Sequence, residues 1–457
     1  MKEKVFFKTF GCRTNIYDTE LLKSYVKDYE IINDENKAQI IVVNSCTVTN
    51  GADSGIKSYV NTMQKKGIKV ILTGCGAVSK GKELLDKKQV FGVLGASNKD
   101  KINEFLGAKT SFYELGNLNF IDKDIVCEYE NHTKAFVKIQ EGCDFACSYC
   151  IIPSVRGKSR SVDEKALLKQ VEILGANGYS EIVLTGTNIG SYGLKNGTSL
   201  GKLLQKMGQI LGIKRIRLGS LEPAQLDESF LEILDEAWLE RHLHIALQHT
   251  SEKMLRIMRR RSHTDNDLKL FNTIASKGYA LGTDFIVAHP GESEELWQEA
   301  LRNFKEFPLT HIHAFIFSPR NNTHSATMKD VINGTLAKER LNTLKSIVEK
   351  NNYEFRKKNQ VSLEVLVENQ KDGFFEGYDQ FFNKIKIKSD KDIACLLNTS
   401  TSPRDISGAC KPSSARTTEK PQGRKQELCA KIQKHTGITI YKQAYYRICD
   451  YRLHTRR

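Results

Sequence analysis

The chain has 457 residues, 40% hydrophobic and 27% charged, with a net charge of +15. That length supports two or three domains with sizeable cores, and no apolar run approaches the ~20 residues that span a bilayer. Residues 395–457 hold 13 of the Lys and Arg residues and only 4 of the Asp and Glu residues, so most of the excess charge sits in the tail and argues only weakly for nucleic-acid binding.

In chain order, apolar strands over residues 5–10, 40–44, 70–73 and 90–94 alternate with helix-patterned stretches over 19–29, 52–65 and 79–87. This predicts a small doubly wound α/β domain over residues 1–110. The first eight residues have no signal-peptide core, so the eleven cysteines are expected in a reducing cytoplasm, where grouped thiols bind metal or do chemistry. Longer βα units follow a bridging stretch. Strands are expected at 136–139, 181–184, 215–219, 242–247, 282–287 and 311–315, with helices between them such as 162–177 and 228–236. Six units are too few for a closed eight-stranded barrel, which predicts an open (βα)6 barrel over residues 130–360, ending in a long helix over 336–358. Strands at 362–368, 374–378 and 383–388 begin a small β-domain over 361–394. Near residue 394 the texture breaks, and 395–457 reads as an atypical basic tail with no clear continuation of the β-domain, suggestive of a frameshifted or chimeric end, the alternative being a natural, poorly ordered tail.

Two cysteine sets carry the chemistry. Cys143, Cys147 and Cys150 form a C-x3-C-x2-C loop just after an alternating strand. Three thiolates on one short loop can hold three irons of a cubane and leave the fourth open. A structural zinc site is the competing reading, but it closes a tetrahedron with a fourth ligand, and the nearest further cysteine, Cys127, lies before the strand. Cys12, Cys46 and Cys75 each lie one or two residues beyond a predicted strand. Ligands gather outside the carboxyl ends of parallel strands, so three cysteines at equivalent positions are expected to converge on a second cluster, although any one alone would read as a buried, inert thiol.

The triplet, its preceding strand and the (βα)6 pattern resemble the radical S-adenosylmethionine (SAM) superfamily. There the SAM amino and carboxylate groups chelate the open iron, and an aromatic residue at the position of Tyr149 lies near the adenine. A three-cysteine α/β domain, a radical SAM barrel and a small β-domain together resemble the methylthiotransferases, over residues 4–394. Their third module is an RNA-binding TRAM domain of about five strands, and this chain shows a pattern for only three. The run Cys46-Thr47-Val48-Thr49-Asn50 is similar to the MtaB branch, which adds a methylthio group to C2 of N6-threonylcarbamoyladenosine beside the tRNA anticodon. The isopentenyladenosine branch reads Arg-Glu after that cysteine, and the branch acting on a ribosomal-protein aspartate reads Gly-Phe.

The resemblance implies two [4Fe-4S] clusters, at Cys12, Cys46 and Cys75 and at Cys143, Cys147 and Cys150. It implies SAM used twice: once to methylate a sulfur held on the first cluster, and once as the source of a 5′-deoxyadenosyl radical at the second. It further implies tRNA as partner, a flavodoxin- or ferredoxin-like electron donor, and a monomer. Candidate SAM contacts are Tyr149 and the strand-end residues Gly186, Thr187, Glu222 and Gln248; the last four read equally well as ordinary turn residues. Candidate tRNA phosphate contacts are Arg156 and Arg160, whose cations could instead hold the SAM carboxylate, and Arg259 and Arg260, against the alternative of a solvated helix end. His242, His244 and His249 read as packing or polar contacts. Aromatic residues of the β-domain, including Phe375 and Phe382, read as core or as base-stacking surfaces.

Overall fold

The computed structural model describes residues 2–130, 132–330, 332–359, 362–389, 393 and 397–400. The first domain runs β1 (Lys4–Thr9), α1 (Arg13–Tyr25), β2 (Glu30–Ile31), β3 (Ile40–Ser45), α2 (Asn50–Lys65), β4 (Lys69–Gly74), α3 (Cys75–Asp86), β5 (Gly92–Leu94), α4 (Ile102–Leu106) and β6 (Phe112–Glu114). The strands form one parallel sheet in the order β2-β1-β3-β4-β5-β6. β3 is buried at every position, as expected for a central strand covered on both faces. Its alternate residues feed two cores: Ile41 and Val43 on the side of Ile56 and Val60, and Ile40 and Val42 on the side of Leu22 and Ile102.

α1 starts six residues before the helix expected from the pattern. Thr14, Asn15, Asp18 and Thr19 in its first turns are all buried. The helix lies between its own sheet and the second domain, and Tyr17 and Leu21 belong to the second domain's core. Its buried polar residues are satisfied by partners from elsewhere in the chain, so apolar periodicity does not mark it.

The second domain contains β7 (Ala135–Glu141), α5 (Ile152–Arg156), β8 (Arg160–Ser161), α6 (Glu164–Ala176), β9 (Glu181–Gly186), α7 (Leu200–Gly208), β10 (Arg215–Leu218), α8 (Glu228–Glu232), β11 (His242–His244), α9 (Glu252–Ile257), α10 (Thr264–Ser276), β12 (Ala280–Val287), α11 (Glu294–Glu306), β13 (Leu309–Ile316) and α12 (Gly334–Lys358). β10-β9-β7-β8 form one sheet and β11-β12-β13 another. Parallel bridges Ile216–Leu239 and Leu221–Ile245 link the two. β7, β9, β10, β11, β12 and β13 thus make the expected open six-stranded barrel, with the two-residue β8 added antiparallel to β7. The fourth strand's regular pairing stops after His244, shorter than expected, and Ile245 and Gln248, whose φ is +66°, keep only isolated bridges to Leu221 and Phe285.

β14 (Leu363–Lys371), β15 (Phe374–Tyr378), β16 (Lys384–Ile387) and β17 (Leu397–Ser400) form an antiparallel sheet in the order β16-β15-β14-β17. β17 corrects the sequence reading. It lies inside the segment set apart as an atypical tail, yet it pairs with β14 from Leu363–Ser400 to Leu366–Leu397. The composition of 397–400 is turn-like, and a tertiary partner edge overrides that weak propensity. Residues 401–457, with Cys410, Cys429 and Cys449, lie outside the described residues, as does Cys395.

The loop from Asp379 to Asn383 fixes this sheet to the barrel. Phe382, at φ +64°, stacks on Tyr378 at 4.7 Å and on His242 at 4.9 Å between ring centroids. The Arg217 guanidinium lies 4.9 Å from the same ring. The Asp379 carboxylate accepts from the amides of Phe381 (3.0 Å) and Asn383 (2.7 Å), and its carbonyl accepts from Arg217 (3.3 Å). Phe382 is therefore an anchor between domains, and Phe375 belongs to the sheet's own core.

Candidate active site

β1, β3 and β4 are adjacent in the sheet, and Cys12, Cys46 and Cys75 follow their carboxyl ends. Neighbouring strands are about 4.8 Å apart, so the fold itself spaces the three thiols. Two glycines permit the approach. Gly11 has φ +98°, and a Cβ there would lie 2.4 Å from Cys46 Cβ; Gly74 has φ +83°, and a Cβ there would lie 2.5 Å from the Ser45 carbonyl oxygen. Burial pushes the Cys46 thiol up, and burial pushes Cys75 to about 11 against the opposing charge of Arg156. Both thiols are therefore held protonated until something positive binds them.

Cys143, Cys147 and Cys150 occupy the loop between β7 and α5. The loop is pinned by bonds from the Ser148 amide to the Met258 carbonyl (3.0 Å) and from the Ser325 amide to the Ser148 carbonyl (2.8 Å). Cys143 Sγ accepts from the Phe145 amide at 3.4 Å and from Asn188 Nδ2 at 3.6 Å. Cys147 Sγ accepts from an Arg260 guanidinium nitrogen at 3.6 Å. Burial raises the Cys143 thiol and pushes Cys150 to about 12.

All six cysteines line one cavity of about 430 Å³. Each triad brings three thiols to this wall and no fourth cysteine joins either among the described residues, a donor set that suits three irons of a cubane.

Tyr149, Gly186, Thr187, Glu222 and Gln248 line the same cavity. The Tyr149 ring meets His289 edge-on at 6.3 Å. Thr187 Oγ1 accepts from the Gly142 amide at 3.2 Å, beside the first cysteine of the triplet. Glu222 pairs with Arg260 at 3.0 Å, while burial pushes its carboxyl up. Asn188 Oδ1, Arg260 Nε and Arg320 Nε on the wall are buried without a hydrogen-bond partner among the described residues. One free acceptor and two free donors suit a ligand carrying both an ammonium and a carboxylate, such as the methionine end of SAM.

The arginines expected to contact tRNA are mostly placed elsewhere. Arg156 is buried and bonds to Asp18 (2.9 Å), Glu141 (2.6 Å), Asn15 (2.7 Å) and Cys75 Sγ (3.0 Å). Arg260 faces the cavity and bonds to Glu222 and the Ala246 carbonyl (2.7 Å). Arg160 ties loops together through the carbonyls of Phe120 (2.8 Å) and Arg156 (3.1 Å). Arg156 is buried and Arg160 and Arg260 are half-buried, with most of their donors engaged and the free Nε of Arg260 on the cavity wall, so none of these three presents an exposed cation to a phosphate. Arg259 alone of the four is exposed.

Asn188, next to Thr187 in the same strand-end turn, is bonded to Cys143. Two wall residues escaped the sequence reading. Arg320 follows β13 and reaches into the first domain, bonding to Asn50 (2.6 Å), Thr47 (2.7 Å) and Asp53 (2.6 Å). Asp284 in β12 faces His244 at 3.1 Å and His313 at 3.5 Å. Burial would raise its carboxyl, but the hydrogen bonds from the two histidines outweigh this and hold it well below the usual range. The rule of looking past strand ends would have found Arg320. Asp284 lies within a strand and becomes visible only through the inward phase of β12.

Comparisons agree with this geometry. The model of the Radical SAM superfamily matches residues 137–304, and that of Uncharacterized protein family UPF0004 matches residues 4–95. A Helicobacter pylori protein provisionally named a methylthiotransferase is 51% identical, covering 86% of this chain and 95% of its own length. Threonylcarbamoyladenosine tRNA methylthiotransferase MtaB of Aquifex aeolicus is 35% identical over 78% of this chain and 90% of its own. The tRNA-2-methylthio-N(6)-dimethylallyladenosine synthase of Fervidobacterium nodosum is 33% identical over 82% and 90%. Among solved structures, the radical SAM methyltransferase TsrM of Kitasatospora setae shares the fold with a TM-score of 0.54 at 14% identity, covering 71% of this chain and 77% of its own.

Proposed function

Because this chain belongs to the radical SAM methylthiotransferase family, whose members use SAM and [4Fe-4S] clusters, we propose that it adds a methylthio group to C2 of N6-threonylcarbamoyladenosine beside the anticodon of tRNA. The observation that carries this reading is the opening of both cysteine triads into one cavity. A C2–H bond on a purine is neither acidic nor readily displaced, so sulfur insertion there calls for one-electron chemistry at one site and a sulfur source within reach. When bound, the clusters and SAM supply both.

The residues of this chain hold and enclose that chemistry. Cys143, Cys147 and Cys150 would hold the SAM-binding cluster, and Cys12, Cys46 and Cys75 the auxiliary one. Asn188 Oδ1 and the free donors of Arg260 and Arg320 would orient the zwitterionic end of SAM, and Tyr149 would supply an aromatic wall for it. Phe145, Ile152, Ile286 and Phe317 on the cavity wall exclude water from a reactive radical. Val48, which follows the second cysteine and is 52% exposed, stands on the same wall with Thr49, where the nucleoside would enter. The tRNA-binding role of the four-stranded C-terminal sheet and of exposed Arg259 is part of the same proposal.

Nucleoside mass spectrometry of tRNA from a deletion strain tests the substrate. Loss of 2-methylthio-N6-threonylcarbamoyladenosine, restored by the wild-type gene but not by Cys46→Ala, is expected. Loss of the methylthiolated isopentenyladenosine instead would reassign the substrate to the alternative suggested by the Fervidobacterium relative. Unchanged methylthio-nucleosides with an altered ribosomal-protein aspartate would move it off tRNA. Anaerobic purification yielding zinc without sulfide would favour a non-catalytic, zinc-stabilised RNA-binding protein.

A further inference from the structure

Between the two cysteine triads lies a buried network of six charged side chains, none more than 5% exposed. Asp18 of α1 meets Lys138 at 2.6 Å and Lys99 at 3.4 Å; Lys99 meets Asp122 at 2.6 Å; Lys138 meets Asp122 and, at 3.0 Å, Glu141. Arg156 completes the set at Asp18 and Glu141. Three cations face three carboxylates, so the network is neutral as a whole. Burial opposes ionisation of Asp18 and Glu141, but the neighbouring cations outweigh it and keep both carboxylates charged. Buried ion pairs of this kind are a weak source of net stability, so stability alone accounts poorly for so large a set.

Arg156 also bonds outward. Its Nε donates to Cys75 Sγ at 3.0 Å and its Nη2 to Asn15 Oδ1 at 2.7 Å. Asn15 in turn donates to the carbonyls of Phe10 (2.7 Å) and Ser45 (3.2 Å), which lie just before Cys12 and Cys46. Through Glu141, the same guanidinium reaches the residue two positions before Cys143. One planar cation thus touches a sulfur of the first triad and the strand end that carries the second.

We propose that Arg156 is a positioning residue that sets the electron affinity of the auxiliary cluster through its N–H···S bond to Cys75. This rests on the reading that Cys12, Cys46 and Cys75 ligate that cluster. Reduction adds one electron, and with it one negative charge, to the iron–thiolate unit; a donated hydrogen bond and an adjacent positive charge stabilise that state and raise the potential. Removing the guanidinium strips the N–H···S bond and leaves one uncompensated negative charge beside the cluster. Lysine restores the charge but cannot reproduce a planar fork reaching four partners at once.

The test uses anaerobically reconstituted full-length enzyme as wild type, Arg156→Gln and Arg156→Lys. Iron and sulfide content and an EPR-monitored redox titration are measured, following the cluster signal that added SAM leaves unperturbed. The expected result for Arg156→Gln is a roughly tenfold shift of the auxiliary couple toward the oxidised state, about 59 mV for one electron. The SAM-perturbed signal keeps its potential, and Arg156→Lys falls between Gln and wild type. If Arg156→Gln loses auxiliary iron, the loaded Arg156→Lys carries the test, and a lowered auxiliary potential there supports the proposal. A fully loaded variant of either kind with an unchanged auxiliary potential overturns it, whatever happens to its melting temperature. If Cys12→Ala, Cys46→Ala and Cys75→Ala all keep full iron, the cysteine assignment fails instead, a result distinct from an unchanged potential.

Discussion

At the scale of single residues, the site depends on positions where a side chain has no room. Gly11 combines a positive φ with direct contact to Cys46. Gly11→Ala is therefore expected to displace Cys46 and reduce the iron bound by the first triad by half or more, with SAM cleavage at the other triad retained. Iron and sulfide analysis beside a 5′-deoxyadenosine assay reads both quantities, and full loading of both sites would contradict the close approach. Protons matter at the same scale. Burial lowers His289 and His311 to about 4, whereas an unfolded histidine titrates near 6.5. Between about pH 6.5 and 4 the unfolded chain binds more protons than the folded one, so stability falls as pH falls through that window and is complete above it. Urea midpoints at pH 7 and pH 5 check this; equal midpoints would show that the two rings are not buried as neutral groups.

At the scale of elements, the strand-to-loop junctions were the legible part of the site. Each cysteine of the first triad sits at the end of a short apolar strand, and each of those strands was visible as an apolar run between helix-patterned stretches. α1 was less legible, because its buried polar residues answer to Asn44, Lys138 and Arg156 rather than to a hydrophobic face. The loop carrying Phe382 was read as base-stacking surface or core, and it proved to be a plug between domains. Phe382→Ala is expected to cost less than the roughly 3–5 kcal/mol of a fully buried Phe→Ala change, because the ring is half-buried, and to loosen the C-terminal sheet before the barrel. Proteolysis near residue 360 that accelerates in the variant, with SAM binding unchanged, would show it; an unchanged cleavage pattern would argue that β14 to β17 are held by other contacts.

At the scale of the whole molecule, the cavity exists because two domains close on each other. Arg320 supplies one clasp, with three hydrogen bonds from the end of the barrel to Thr47, Asn50 and Asp53. Arg320→Ala leaves the half-buried Asp53 carboxylate without its cation, a loss that costs roughly 3 kcal/mol for a fully buried pair and less here because Asp53 is partly exposed. A lower melting temperature is expected, with SAM cleavage reduced by loss of the Arg320 donor and methylthio transfer reduced further because the two domains part. An unchanged melting temperature would show that the clasp does not hold the domains together.

Sequence alone determined the cluster chemistry of this protein and its barrel, because cysteine spacing on a loop and alternation along a strand are local properties of consecutive residues. It also determined that three more cysteines stood at equivalent strand ends. Tertiary structure decided what the arginines do. A guanidinium reads as a solvated phosphate contact until the segments packed around it are known. Here Asp18 from α1, Glu141 from β7 and Cys75 from α3 turn Arg156 inward. Whether a charge meets water or a buried partner is set by residues far away in the chain, so only the assembled fold could place it.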